Sequence, residues 1–173
     1  MFEKTYIFQG KHAKFVENLA GDDVLFNRYL DILILAPVLG YLNGKEAELD
    51  KGDKSAKVFA EQIIKESEKL KFIFQLITIQ DKTKFPDDEK RFNIAFRYKD
   101  GSDYDQAISN FNNYIRGGVE YLHSMIFEDE DHIQTYKQDQ LIDNFFSYIE
   151  HFREDINNNK DFDLEDIVNN YKD

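Results

Sequence analysis

Between Asp31 and Lys45 the chain reads Asp-Ile-Leu-Ile-Leu-Ala-Pro-Val-Leu-Gly-Tyr-Leu-Asn-Gly-Lys. Leu30, Leu33, Ile34, Val38, Leu39 and Leu42 recur at the three- and four-residue steps of a helix. Ile32 and Leu35 fill its remaining sides. A helix apolar on every face has no side to offer water, so this one is expected over about 25–43 and buried nearly all round. Pro37 lacks an N–H donor and crowds the preceding turn, which predicts a kink. Gly40 marks a point where another backbone can come close, and Asn43-Gly44 is a natural stop. Asp22 or Asp23 is the expected cap at the other end.

The rest of the chain shows the same helical period. Tyr6, Ile7 and Phe8 suit a short extended segment, followed by a helix over 11–20 with Phe15, Val16 and Leu19 inward. Asp53 or Ser55 is the expected start of a helical region over 55–80. There Phe59, Ile63, Leu70, Ile73 and Ile77 repeat at near-heptad spacing, and Val58, Phe72 and Leu76 widen the stripe. The polar stretch Lys65–Lys69 allows two shorter helices instead. Pro86 at a first helical position, followed by Asp87, Asp88 and Glu89, predicts a helix over 87–98 burying Phe92, Ala95 and Phe96. A long helix over 103–126 presents Ile108, Phe111, Ile115, Gly118, Leu122 and Ile126 on one face. Gly117 and Gly118 inside it would cost roughly 1–2 kcal/mol against alanine, which points to a packing need at Gly118. A helix over 132–154 carries Ile133, Tyr136, Leu141, Phe145, Ile149 and Phe152 inward, and a short helix over 163–171 follows. The expectation is one all-α domain over 1–173, a compact irregular bundle of six or seven helices.

Charge and composition narrow the function. Thirty-four acidic against 22 basic side chains give a net charge of -12, which repels nucleic acid phosphates and anionic membrane surfaces. Without cysteine there are no disulfides, thiolate metal sites or thiol nucleophiles. The first ten residues lack the apolar core of a signal peptide, and no apolar run approaches the length of a membrane span. A cytoplasmic location is expected.

Chemistry-bearing motifs are few. Asp155, Asn157, Asn159, Asp161, Asp163 and Asp166 occupy positions 1, 3, 5, 7, 9 and 12 of a twelve-residue window, the oxygen spacing of a helix–loop–helix calcium site. Lys160 stands where the sharp turn wants glycine, and Asp166 where a bidentate glutamate belongs. The alternative is an Asn/Asp-rich helix stop followed by a cap. Ca²⁺ is the one cofactor this pattern suggests; otherwise none is expected. His12, His123, His132 and His151 form no ligand pair in sequence, and His123 near Glu120 and Glu128 is at most one arm of a site. There is no phosphate-binding glycine loop, nucleophile elbow or repeated Glu-x-x-His motif, and no catalytic residue is assigned. The segment 82–99 is locally basic, with Lys90, Arg91 and Arg97 interleaved with Phe85, Phe92, Phe96 and Tyr98, and Arg116 precedes the double glycine. These four cations are the candidate interaction residues. The alternative is an amphipathic helix with one solvated and one core face.

Two segments resemble small helical proteins encoded beside bacterial DNA phosphorothioation (Dnd-type) and related phage-defence systems. One is the apolar stretch 31–45 with its Gly40 and short basic turn. The other is Phe111–Leu122, which is similar to their "Y-x-x-G-G-x-x-x-L" helix through Tyr114, Gly117, Gly118 and Leu122. The intervening helix and Arg91, Phe96 and Arg97 lie in compatible order, so the resemblance covers about 23–126. It implies a non-catalytic accessory or regulatory protein that contacts another protein, one encoded in the same operon, and it carries over no catalytic residue. No direct contact with nucleic acid is expected. A different reading of the charge is an acidic protein that mimics nucleic acid and blocks a DNA-binding enzyme.

Overall fold

The structure, a computed structural model, describes residues 2–22, 24–127, 133 and 135–158, with the side chains of 152 and 154–158 set aside. Its elements run β1 (Tyr6–Gln9), α1 (Lys11–Leu19), α2 (Tyr29–Leu42), β2 (Ser55–Val58), α3 (Ala60–Lys65), α4 (Ser67–Gln80), α5 (Asp88–Phe96), α6 (Ser102–Ile126) and α7 (Gln138–Asn158). The chain is thus predominantly helical, as the periodicity predicts. The expected last helix, 163–171, lies outside the described residues.

α2 and α6 form the centre. Leu30, Ile32, Leu33, Ala36, Pro37, Leu39 and Gly40 are buried on α2; Leu42, expected inward, is exposed because the helix ends there and leaves the core. Its cap is Arg28 rather than an aspartate, and Arg28 in turn holds Asp31 in an ion pair. On α6 the buried stripe includes Phe111, Tyr114, Ile115, Gly118, Val119, Leu122 and Ile126. The two helices meet backbone to backbone. A Cβ on Gly40 would overlap the carbonyl of Tyr114, and one on Gly118 would overlap the carbonyl of Ala36. Gly117 does the same for the turn beyond α2, where its missing side chain leaves room for the carbonyl of Lys45. The turn is then fixed by Ala47 N–H donating to Asn113 C=O at 3.1 Å and Arg116 Nε donating to Ala47 C=O at 2.9 Å.

The extended N-terminal segment pairs with β2 as a two-stranded antiparallel ribbon, Tyr6 opposite Val58 and Phe8 opposite Ala56. β2 falls where a helix was expected to begin. Ala56 and Val58 are buried while Ser55 and Lys57 are exposed, which is the two-residue period of a strand. Phe59 consequently leaves the strand pointing into solvent, and the expected single helical stripe becomes the separate α3 and α4. Ile63, Leu70, Ile73 and Ile77 keep their inward places; Phe72 and Leu76 do not. At α5 the helix starts one residue after its cap, Asp87, whose carboxylate accepts the Lys90 N–H at 2.6 Å, so Pro86 lies outside the helix. The buried face of α5 is Arg91, Ile94 and Ala95 rather than Phe92, Ala95 and Phe96. α7 lies on α6 through Leu141 and a Tyr121–Tyr148 ring contact, and on the approach to α2 through Phe26–Phe145. Ile149, expected inward, is exposed because the helix turns that residue away from this contact.

Gly118→Ala tests the central contact by sign. In an open helix alanine would stabilise by roughly 1 kcal/mol. Here forcing α2 and α6 apart is expected to give a net loss of about 2 kcal/mol, read as a lower urea midpoint. A stabilised variant would show that the helices do not touch there.

Candidate functional site

The α4–α5 hairpin is unusual for what it leaves outside. Phe72 and Leu76 follow one another up α4 at a four-residue step, and Phe92 and Phe96 do the same on α5; their exposures are 62%, 47%, 46% and 51%. The two α5 rings contact each other in a tilted arrangement, their centres 5.1 Å apart. Gln75 on α4 donates to the Ala95 carbonyl at 3.0 Å, which locks the two helices at this level. Beside that bond runs a groove of about 490 Å³ between Lys71 and Gln75 on one wall and Phe96, Tyr98 and Lys99 on the other. Phe74 and Tyr104, in edge contact at 5.8 Å, also line it, as do Glu3 and Glu68. An opening with exposed rings on its rim and cations on both walls is suited to holding another polypeptide.

The cations singled out in the sequence take different places. Arg97 is exposed on this face, its guanidinium 5.2 Å from the Phe92 ring centre and donating to Asn93 Oδ1 at 3.1 Å. Lys90 pairs with Asp103 at 2.9 Å, joining α5 to the start of α6. Arg91, expected in a surface patch, is buried. It donates to the Phe85 carbonyl at 2.6 Å and to the Asp88 carboxylate, so its charge closes the turn into α5. Arg116 lies against Ala47 and Asn113, on the turn after α2, and its charge also reaches Tyr6. The four therefore do not converge; only Arg97 stands free on the α4–α5 face. Of the oxygen-rich window, the backbone at Asp155 and Asn157 is part of α7, and Asn159, Asp161, Asp163 and Asp166 lie outside the described residues, as does His132.

Sequence reasoning missed a polar seam between α1 and α6. His12 is fully buried and its Nε2 lies 2.8 Å from Glu120 Oε1, the same oxygen that Lys11 Nζ reaches at 2.9 Å. His12 Nδ1 has no hydrogen-bond partner among the described residues. Burial lowers the His12 pKa against the opposing pull of Glu120. One turn along, His123 stacks on Phe15 at 4.1 Å and contacts Asn18 through Nε2 at 3.1 Å. Burial, reinforced by Lys14, pushes its pKa down to about 4. The signal was present: His123 follows Val119 by four residues and so sits beside the apolar stripe of α6. A second buried cluster joins α4 to α6, where Asp81 accepts from Tyr114 Oη at 2.8 Å, Thr83 Oγ1 at 2.6 Å and Lys84 N–H at 3.1 Å. The Tyr114 pKa is raised, by burial first and then by that bond to Asp81. Among the described residues, no three His, Asp or Glu side chains are grouped to hold a metal ion. None of the described helices is long and apolar enough to cross a membrane.

A family model described as DNA sulphur modification system-associated protein 4 matches residues 9–167. The chain belongs to this family. That makes it an accessory protein of a DNA phosphorothioation locus, in agreement with the resemblance carried by the 31–45 and 111–122 segments, both inside the match. Structurally those segments are α2 with its turn and the glycine-bearing half of α6, so the likeness is carried by the core contact of the fold. No curated protein and no solved structure matches the chain.

The buried His123 gives this family member a pH dependence of defined sign. The folded ring stays neutral while the unfolded chain takes up a proton near pH 6.5. Stability is therefore full above pH 6.5 and falls as the pH drops toward 4, by on the order of 3 kcal/mol. Urea unfolding at stepped pH should show that loss, reduced in His123→Leu; an unchanged slope in the variant would contradict it.

Proposed function

We propose that this protein is a non-catalytic accessory or regulatory component of a DNA sulphur modification system and acts by binding another protein of that system. The single observation that carries the reading is the exposed ring-and-cation face of α4–α5, in a chain whose family is defined by its association with such a system. The chain's described polar clusters support a structural use of their chemistry. Asp81 is occupied by three donors, Arg91 by the turn it closes, and Glu120 by His12 and Lys11. The nucleic-acid-mimic reading calls for rows of open carboxylates. Glu17, Glu46, Glu66, Asp103 and Glu120 are instead each neutralised by a lysine, which interrupts such rows.

The test is affinity purification of the tagged chain expressed together with the remaining genes of its own sulphur-modification locus. One protein of the locus is expected to co-purify in near-stoichiometric amount. Deletion of the chain is expected to change the level or the consequence of DNA phosphorothioation. A tagged chain that elutes alone, with modification and phage susceptibility unchanged by deletion, would refute the reading.

A further inference from the structure

We infer that the free edge of β2 receives an extended, acidic segment of a partner protein as a third strand. This rests on the proposed accessory function and adds to it a contact that shares no residue with the α4–α5 groove. Three observations point to that occupant. First, the ribbon leaves an open edge. Gly10 N–H donates to Lys54 C=O at 2.8 Å, and Phe8 lies opposite Ala56. The alternation of an antiparallel pair then turns the backbone groups of Lys54, Ala56 and Val58 toward β1, and those of Ser55 and Lys57 away from it. Among the described residues, the N–H and C=O of Ser55 and Lys57 have no hydrogen-bond partner. Second, this edge borders an opening of about 340 Å³. Lys57, Phe59 and Gln62 line it together with Asn27, Arg28 and Tyr29; no residue of β1 does, so it lies on the free side of β2. Third, no carboxylate lines this opening in a chain of net charge -12. Arg28 pairs with Asp31, but Lys57 holds no carboxylate among the described residues, and its side chain is exposed. An edge with two donors and two acceptors is the complement of another polypeptide backbone. Nucleic acid phosphates offer acceptors only and would leave both carbonyls unmatched. Pairing β2 with its own copy would bring both Lys57 side chains onto one face of the seam, where like charges repel; an acidic segment makes the same lysine an attraction.

The added strand would set an acidic side chain opposite Lys57. Main-chain bonds at Ser55 and Lys57 would fix its register, and the opening beside Tyr29 and the 61% exposed Phe59 would take a neighbouring side chain.

Hydrogen exchange of the full chain, alone and in complex with the protein of its sulphur-modification locus that co-purifies with it, gives the direct test. The amides of Ser55 and Lys57 are expected to exchange freely in the chain alone and about tenfold more slowly, or slower still, in the complex. The amides of Ala56 and Val58, turned toward β1, are the internal reference. On the locus protein the newly protected stretch should be short and acidic; a basic one would overturn the charge assignment. Ser55→Pro removes one outward N–H at an edge position that tolerates proline, and leaves charge and core untouched. It should weaken the complex about fivefold, and Lys57→Glu about tenfold or more. Thermal melts of both should stay near that of the parent, because both side chains are exposed and neither N–H serves the ribbon.

If the complex forms with both amides still open, the β2 edge is not the contact, and the accessory function survives without it. Protection of the two amides in the chain alone as its concentration rises would give the edge to a second copy. Protection by a 20-nucleotide single-stranded DNA would give it to nucleic acid. Either result overturns the assigned occupant. If no locus protein binds at all, the accessory reading and this inference both fall.

Discussion

Gly118 resting on the carbonyl of Ala36, with Gly40 against that of Tyr114, sets the distance between α2 and α6, and the remaining elements are placed by those two helices. α6 packs against α1, α2, α4, α5 and α7; α2 adds contacts to α1, α4 and β2. A side chain at either glycine would push the axes apart and open every layer built on them. The energetic logic is dispersion at short range. Removing two Cβ atoms loses helix propensity locally and is offset by close packing along the length of both helices. Gly117 extends the arrangement to the turn after α2, which is why two glycines stand together in a helix that would otherwise avoid both.

Around this dry centre the polar groups that enter the interior are held by specific partners. Asp81 ties the end of α4 to Tyr114 at the middle of α6, and Arg91 closes the turn that brings α5 alongside α4. His12 and His123 fasten α1 to the later turns of α6 through Glu120 and Asn18. Each is a buried donor or acceptor whose removal would leave another group unsatisfied, so these bonds fix orientation more than they add stability. The acidic excess stays at the surface, and Lys71, Arg97 and Lys99 stand with exposed rings on the outer side of α4–α5. A rigid α2–α6 centre thus presents that face from a hairpin that is locked at Gln75–Ala95.

Much of this was legible in the residues. The all-round apolarity of 30–39 requires a central helix, and Gly40 and Gly118 mark its close approach because nothing else explains glycine on an apolar stripe. The resemblance to proteins of phosphorothioation loci rested on the same two segments and agrees with the family match over 9–167. The errors share one cause. Periodicity places apolar residues on a common face but does not say whether that face meets the core or the outside. On α5 two stripes compete, Arg91–Ile94–Ala95 and Phe92–Phe96, and the first is buried because Phe85 and Asp88 satisfy the arginine, which frees the rings to face outward. Ser55–Val58 alternates as a strand, yet its apolar residues also fit the heptad spacing that follows, and only pairing with Tyr6–Gln9 decides between them. The full burial of His12 and His123 was harder to read, because the partners that hold them, Glu120 and Asn18, are distant in sequence, although the position of His123 beside the α6 stripe points inward.

Native-state hydrogen exchange tests the claim that the α2–α6 contact underlies the rest of the fold. The account predicts that the slowest amides lie together in Leu33–Leu39 of α2 and Phe111–Val119 of α6 and open only with global unfolding, while α5 and α7 exchange sooner through local opening. Amides of α2 and α6 that exchange as fast as those of α5 or α7 would contradict it.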